Sequence, residues 1–173
     1  MKTAFFDVDT QLDFIFPAGA LYVPGAERIL PAIARLNKYA AQRGIPLVST
    51  MDAHAEDDAE FRAYPAHCVA GTWGQKKPAE TLVEGQILFE KVTVDAFESP
   101  RASELLAWDR YVVYGVAAEI CVRHVAMGLL KAGKRVELVQ DAIRHLNAAN
   151  AAAFLEEFLA RGGTLTSTAA VCV

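Results

Sequence analysis

The sequence predicts an α/β protein, a three-layer α/β/α sandwich around a six-stranded parallel sheet. Three observations carry that prediction. Apolar runs of strand length alternate with stretches of helical periodicity along most of the chain. The strand runs are continuously apolar rather than alternating, which implies burial on both faces. The chain has 173 residues, 53% of them hydrophobic, about right for one domain with a substantial core. No linker, repeat or low-complexity tract interrupts it, so residues 1–173 read as a single domain.

Residues 3–9 read as the first strand, and residues 26–42 as an amphipathic helix opened by Pro24-Gly25 and stopped by Gly44. Residues 45–51 form a second strand and 87–90 a third. A helix is expected over 101–107, then a strand over 111–114 that breaks at Gly115. Helix 119–132, strand 136–139, helix 147–160 closed by Gly162-Gly163, and strand 164–166 complete the series. Residues 52–84 break the rhythm and carry His54, Glu60, Pro65, His67 and Gly71; connections of that length are commonly functional.

Composition excludes several classes of function. No apolar run is long enough to span a bilayer, and the N-terminus lacks the pattern of a secretory signal. Three scattered cysteines, Cys68, Cys121 and Cys172, make no disulfide framework and fit a reducing, cytoplasmic setting. A net charge of −4 and the absence of a basic cluster argue against nucleic acid. Gln75-Lys76-Lys77 reads as a solvated loop, and a small molecule is the expected partner.

In open α/β sheets, ligands bind at the carboxyl ends of the strands. Asp9 ends the first strand, Asp52 the second and Lys91 the third, while Cys121 follows the fourth onto a helix start. That position would lower a thiol's pKa, and the thiolate is the nucleophile. Asp9 would take and return the thiol proton, and Lys91 would favour the thiolate and keep Asp9 ionised. Small residues around Ala117 and Ala118 would let backbone N–H groups approach an oxyanion. In an extended chain Asp9, Gln11 and Asp13 would point to one side. A second group, Asp52, His54, Glu60 and His67, offers carboxylate and imidazole ligands suited to one divalent ion such as Zn, Fe or Mn. Cys68 adjoins Val69 and Ala70 and reads as a packed cysteine.

The chain resembles the isochorismatase-like cysteine hydrolases, and among them the nicotinamidases (pyrazinamidases). The motifs are Asp9-Thr-Gln-Leu-Asp-Phe14, Asp52-Ala-His54, His67-Cys-Val-Ala-Gly-Thr72, Lys91 with Asp95-Ala-Phe97, and Gly115-Val-Ala-Ala-Glu-Ile-Cys121. They occur in the family's order across nearly the whole chain. The resemblance implies strand order 3-2-1-4-5-6, so that Lys91 must reach inward across the second strand. It implies a Cys121–Asp9–Lys91 triad, a thioester formed as ammonia leaves, and an oxyanion hole from the N–H groups of Ala117 and Cys121. A cis peptide between Val116 and Ala117 belongs to the same pattern. So do a metal at Asp52, His54, Glu60 and His67 that holds the pyridine nitrogen, zinc foremost, and aromatic walls at Phe14 and Tyr64, with Gln11 beside them. Ala53, Tyr64 and Trp73 depart from the usual residues, which bears on substrate. A homo-oligomer, dimer or tetramer, is expected, as is a role in NAD salvage.

Other readings make different predictions. A hydrolase of another small amide or carbamoyl compound would differ in substrate profile. A metallohydrolase using bound water would survive Cys121→Ala and fail with His54→Ala. A non-catalytic binding module on the same fold would lack a reactive Cys121. A peroxidatic thiol would need a resolving partner, which neither Cys68 nor Cys172 is marked to be.

Overall fold

Burial on both faces is what the strand sequences demand, and the computed structural model, which describes residues 1–173, shows how it is met. Six strands form one parallel sheet: β1 (Thr3–Val8), β2 (Leu47–Asp52), β3 (Ile87–Lys91), β4 (Arg110–Gly115), β5 (Arg135–Ile143) and β6 (Thr164–Thr166). Their order is β3-β2-β1-β4-β5-β6, as expected. Adjacent residues on a strand enter opposite cores. Phe5, Val112 and Val139 face one cluster, while Phe6, Val113 and Leu138 face the other. Ile33 and Leu36 of helix α2 (Leu30–Gln42) pack into the first; Val125 and Leu129 of α3 (Arg123–Lys131) and Phe154 and Phe158 of α4 (Ala148–Ala160) pack into the second. No helix is long and apolar enough to cross a membrane.

Several elements depart from expectation for local reasons. The helix expected over 26–42 is split, with Ala26–Ile29 a 3₁₀ turn and the α-helix beginning at Leu30. Pro31 has no N–H to donate, so it is accommodated only in a first turn. Between 101 and 107 the chain forms a 3₁₀ turn, Ala102–Leu106, whose Leu105 carbonyl accepts the Tyr111 hydroxyl at 2.7 Å; β4 begins too soon afterwards for an α-helix to develop. Strand β5 runs from Arg135 to Ile143, beyond the expected end at Val139, with a register shift opposite Val113 and Gly115. Two one-turn helices, Leu12–Ile15 and Thr168–Val171, were not expected.

Gly115 has φ 122° and brings β4 so close to β1 that a Cβ there would lie 2.1 Å from the Val8 carbonyl oxygen. This approach sets the switch point, where the carboxyl ends of β1 and β4 diverge.

Candidate active site

At that switch point three charged or nucleophilic side chains meet. Asp9 leaves β1 in the left-handed region, φ 48°, uncommon for a side-chain-bearing residue and concentrated at functional sites. Its carboxylate lies 2.9 Å from Lys91 Nζ, yet neither oxygen receives a hydrogen bond of good geometry. Lys91 does reach inward across β2, since its β3 position pairs in register with Asp52. Its ammonium donates to Asp52 Oδ1 and, at 3.8 Å, to Cys121 Sγ. All four residues are almost wholly buried.

Electrostatics here correct one expectation. Burial pushes the Cys121 thiol well above its ordinary range and outweighs the opposing charge of Lys91, while Asp9 raises it further by charge and hydrogen bonding. The residue sits on the π-helical turn Ala118–Val122, which runs straight into α3, so it does stand at a helix start, and burial outweighs that placement. A thiol pushed in that direction needs a base if it is to attack. Burial likewise raises Asp9 against the lowering effect of Lys91, as suits a carboxylate that accepts a proton. The Val116–Ala117 peptide is cis, as the resemblance implies.

The second group assembles beside the first. Asp52 ends β2, and a parallel bridge between His54 and Val69 brings the segment containing His67 alongside. Ligand atoms of Asp52, His54 and His67 all lie within 4.8 Å of one another, and all three residues are buried. His67 Nδ1 donates to the Pro65 carbonyl at 2.7 Å, which leaves Nε2 an acceptor, 3.8 Å from Asp52 Oδ2. His54 Nδ1 pairs with Asp58 Oδ2 at 3.0 Å, and its buried Nε2 has no partner. Outer hydrogen bonds of this kind orient metal-ligating imidazoles. The Asp52 carboxylate, 3.8 Å from Nε2, pushes His54 up to about 9, so a bound ion would take the place of a proton there. Burial works against the Asp52 charge, but Lys91 and His54 hold the group below its ordinary value. The donor set, the orphaned imidazole nitrogen and the second carboxylate fit a divalent cation. Glu60 lies 3.8 Å from His67 Nε2 and outside the compact trio.

Residues of both groups line one small, mostly apolar pocket. Phe14, Tyr64, Ile120 and Leu146 supply apolar wall, and Cys121, Ala117, Asp52, Glu60 and His67 also line it. Neither Lys nor Arg lines it. Gln11, expected beside the substrate, is not part of this wall. Its amide instead clamps β2, accepting Asp52 N–H at 2.7 Å and donating to the Asp52 carbonyl at 2.8 Å. The alternation of Asp9, Gln11 and Asp13 fails because the backbone turns at Asp9; Asp13 accepts from the N–H of Cys68 at 2.7 Å and organises a loop. Ala53 and Trp73 also lie off the cavity wall, Trp73 with 55% of its surface exposed. Cys68 is a packed cysteine, its thiol pushed far up by burial.

Sequence reasoning missed Asp7, Lys77, Asp58 and the clamping role of Gln11. Lys77 and Gln75 are buried, not solvated, and Lys77 Nζ lies 3.0 Å from Asp7 Oδ2. Glu119 lay inside a motif already singled out, but nothing marked it apart from its neighbours.

The isochorismatase domain family profile matches residues 3–170. Nicotinamidase of Escherichia coli is 26% identical over 204 residues, covering 94% of this chain and 93% of that protein. N-carbamoylsarcosine amidase of an Arthrobacter species is 25% identical over 160 residues, covering 82% of this chain; the chain spans 59% of that relative's length. The zinc complex of Pyrococcus horikoshii pyrazinamidase superposes with a TM-score of 0.90 at 30% identity, covering 96% of this chain and 99% of that one.

Proposed function

We propose that this chain, which belongs to the isochorismatase family and is a hydrolase of amide C–N bonds, acts on nicotinamide through a Cys121 thioester. One observation carries the reading. A buried Cys–Lys–Asp group and an Asp–His–His group, joined through Lys91 and Asp52, adjoin one small, mostly apolar pocket.

Cys121 Sγ would attack the carboxamide carbon while its proton passes to Asp9. Lys91 would hold the carboxylate and the developing thiolate in place by charge, and the N–H groups of Ala117 and Cys121 would receive the oxyanion. As the tetrahedral adduct collapses, the C–N bond breaks and Asp9 returns the proton to the leaving nitrogen, releasing ammonia. Water, deprotonated by Asp9, would then add to the thioester; the C–S bond breaks, Asp9 returns the proton to sulfur, and nicotinic acid leaves and ionises to nicotinate. Phe14 and Tyr64 would flank the ring. Asp52, His54 and His67, with Glu60 at their edge, would hold one divalent ion, zinc foremost; bound there, it supplies a Lewis-acid contact for a ring nitrogen.

The relative named for N-carbamoylsarcosine suggests a carbamoyl substrate instead. That compound, a substituted amino acid, carries a carboxylate, and the cavity wall offers neither Lys nor Arg to meet it. Nicotinamide, which is neutral, is the better match.

The test is ammonia release from nicotinamide by metal-analysed protein, run beside Cys121→Ala and beside N-carbamoylsarcosine. Release from nicotinamide that disappears in Cys121→Ala is expected. Release preserved in Cys121→Ala sinks the thioester route, and preferred turnover of N-carbamoylsarcosine sinks the substrate assignment. Self-association into a dimer or tetramer is read from the mass of the same preparation by light scattering, and a monomer overturns it.

A further inference from the structure

The segment 144–147, just past β5, bonds to backbone next to several cavity-lining residues. The Arg144 carbonyl accepts the Ala118 N–H at 2.7 Å, and the Arg144 N–H reaches the Gly115 carbonyl at 3.4 Å. The Arg144 guanidinium donates from Nε to the Gly25 carbonyl at 3.3 Å, at the end of the loop that carries the wall residues Leu21 and Val23.

The remaining attachment is made by a side chain. Glu119 stands two residues before Cys121 on the π-helical turn. Its Oε1 accepts the N–H of Leu146 at 2.9 Å and the N–H of Asn147 at 2.5 Å. These donors lie just ahead of α4, where no helical carbonyl can serve them. The Asn147 side chain is already engaged, accepting the Asn150 N–H as the helix cap. Leu146 lines the cavity, yet 38% of its surface is exposed, so packing alone does not fix it.

We infer that Glu119 is a positioning residue, whose carboxylate latches Leu146 to the turn bearing Cys121 and so sets the cavity's apolar wall and its affinity for ring amides. The inference rests on the nicotinamide reading above. It also has a readout that does not depend on turnover.

Glu119→Ala is expected to raise KM for nicotinamide on the order of tenfold while kcat falls by less, which marks lost binding rather than lost chemistry. Amide hydrogen exchange at Leu146 and Asn147 should quicken in the same variant. Glu119→Gln keeps an acceptor oxygen and should restore both. Leu146→Ala should raise KM similarly with Glu119 in place and with slow exchange at Asn147 preserved, so the wall is tested even where Glu119→Ala fails to fold.

Faster exchange with unchanged KM would overturn the role of the latch in binding. A fall in kcat at constant KM would instead assign Glu119 to the nucleophile's turn, and a Gln variant as impaired as Ala would show that charge matters rather than acceptance. If the unaltered protein does not hydrolyse nicotinamide, the substrate assignment falls and exchange decides the latch alone. Quickened exchange in Glu119→Ala with protection kept in Glu119→Gln supports it, and unchanged exchange overturns it.

Discussion

Two buried aspartates stand two residues apart at the end of β1, each beside a buried lysine, and their surroundings are opposite. Asp7 is satisfied on every side. Thr10 Oγ1 donates to one oxygen, while Asn37 Nδ2 at 2.9 Å and Ser49 Oγ at 3.4 Å approach the other, with Lys77 Nζ at 3.0 Å. Asp9 has Lys91 at 2.9 Å and no well-formed hydrogen bond to either oxygen. Buried polar groups are nearly always satisfied, so the exception needs a reason. A fully bonded carboxylate holds structure together, whereas one with unengaged lone pairs beside a thiol can take a proton. On the proposed mechanism, the same residue pair serves stability at one position and chemistry two residues later.

The sharpest way to break this contrast is to neutralise Asp9. Asp9→Asn removes the proton acceptor and should lower kcat by about 10³-fold, the usual scale for a general base. It should leave urea stability level or raised, because Lys91 keeps Asp52 as a partner and a poorly solvated charge disappears. A variant that unfolds early while keeping near-normal turnover would reverse the two roles.

Lys77→Met makes the opposite cut. It strands Asp7 without its cation, and breaking a buried pair from one side costs about 3–5 kcal/mol. Urea unfolding should show that loss, while turnover per folded molecule stays within about threefold of the parent. A collapse in turnover at unchanged stability would mean that the two networks act as one.

This contrast also marks where the sequence could be read and where it could not. The continuously apolar strands made the parallel sheet legible, and strand ends pointed to Asp9, Asp52, Lys91 and Cys121 because ligand chemistry gathers there. Asp7 lies inside the strand among Phe5, Phe6 and Val8, where the local pattern gives it no role. Lys77 sits in a stretch that reads as polar loop, and only the fold brings it against β1. Gln11 misled for the same reason. Its neighbours made it a candidate for substrate, but the left-handed turn at Asp9 aims it at the Asp52 backbone. The Cys121 thiol was misjudged because a helix start shows in sequence and the depth of burial does not.

The clamp on Asp52 allows a sharper comparison between structural support and ligand chemistry. Gln11→Ala removes both hydrogen bonds that fix the Asp52 backbone without touching a ligand atom. Losing such support commonly weakens metal affinity about 10- to 100-fold. Competition with a graded series of chelators, read by metal analysis, should show that weakening for zinc, and full activity should return when zinc is in excess. Unchanged retention of metal would reduce Gln11 to a filler of the fold.

The smallest effect tests whether the Asp7 network is a unit. Tyr114 donates its hydroxyl to Asn37 Oδ1 at 2.6 Å, and Asn37 in turn donates to Asp7 and, at 2.7 Å, to the Thr81 carbonyl. Tyr114→Phe keeps the edge-on contact with Phe5 and removes only the hydroxyl, so a loss of about 1–2 kcal/mol in urea stability is expected, with kcat unmoved. The decisive quantity is its coupling to Lys77→Met. Residues joined through one hydrogen-bonded chain show coupling of about 0.5–3 kcal/mol, whereas independent sites add. Coupling would mean that Asn37 transmits between the two through Asp7, and that the carboxylate is held by a cooperative cage. Strict additivity would confine the difference between Asp7 and Asp9 to the hydrogen bonds each carboxylate receives directly, with Tyr114 merely packed nearby.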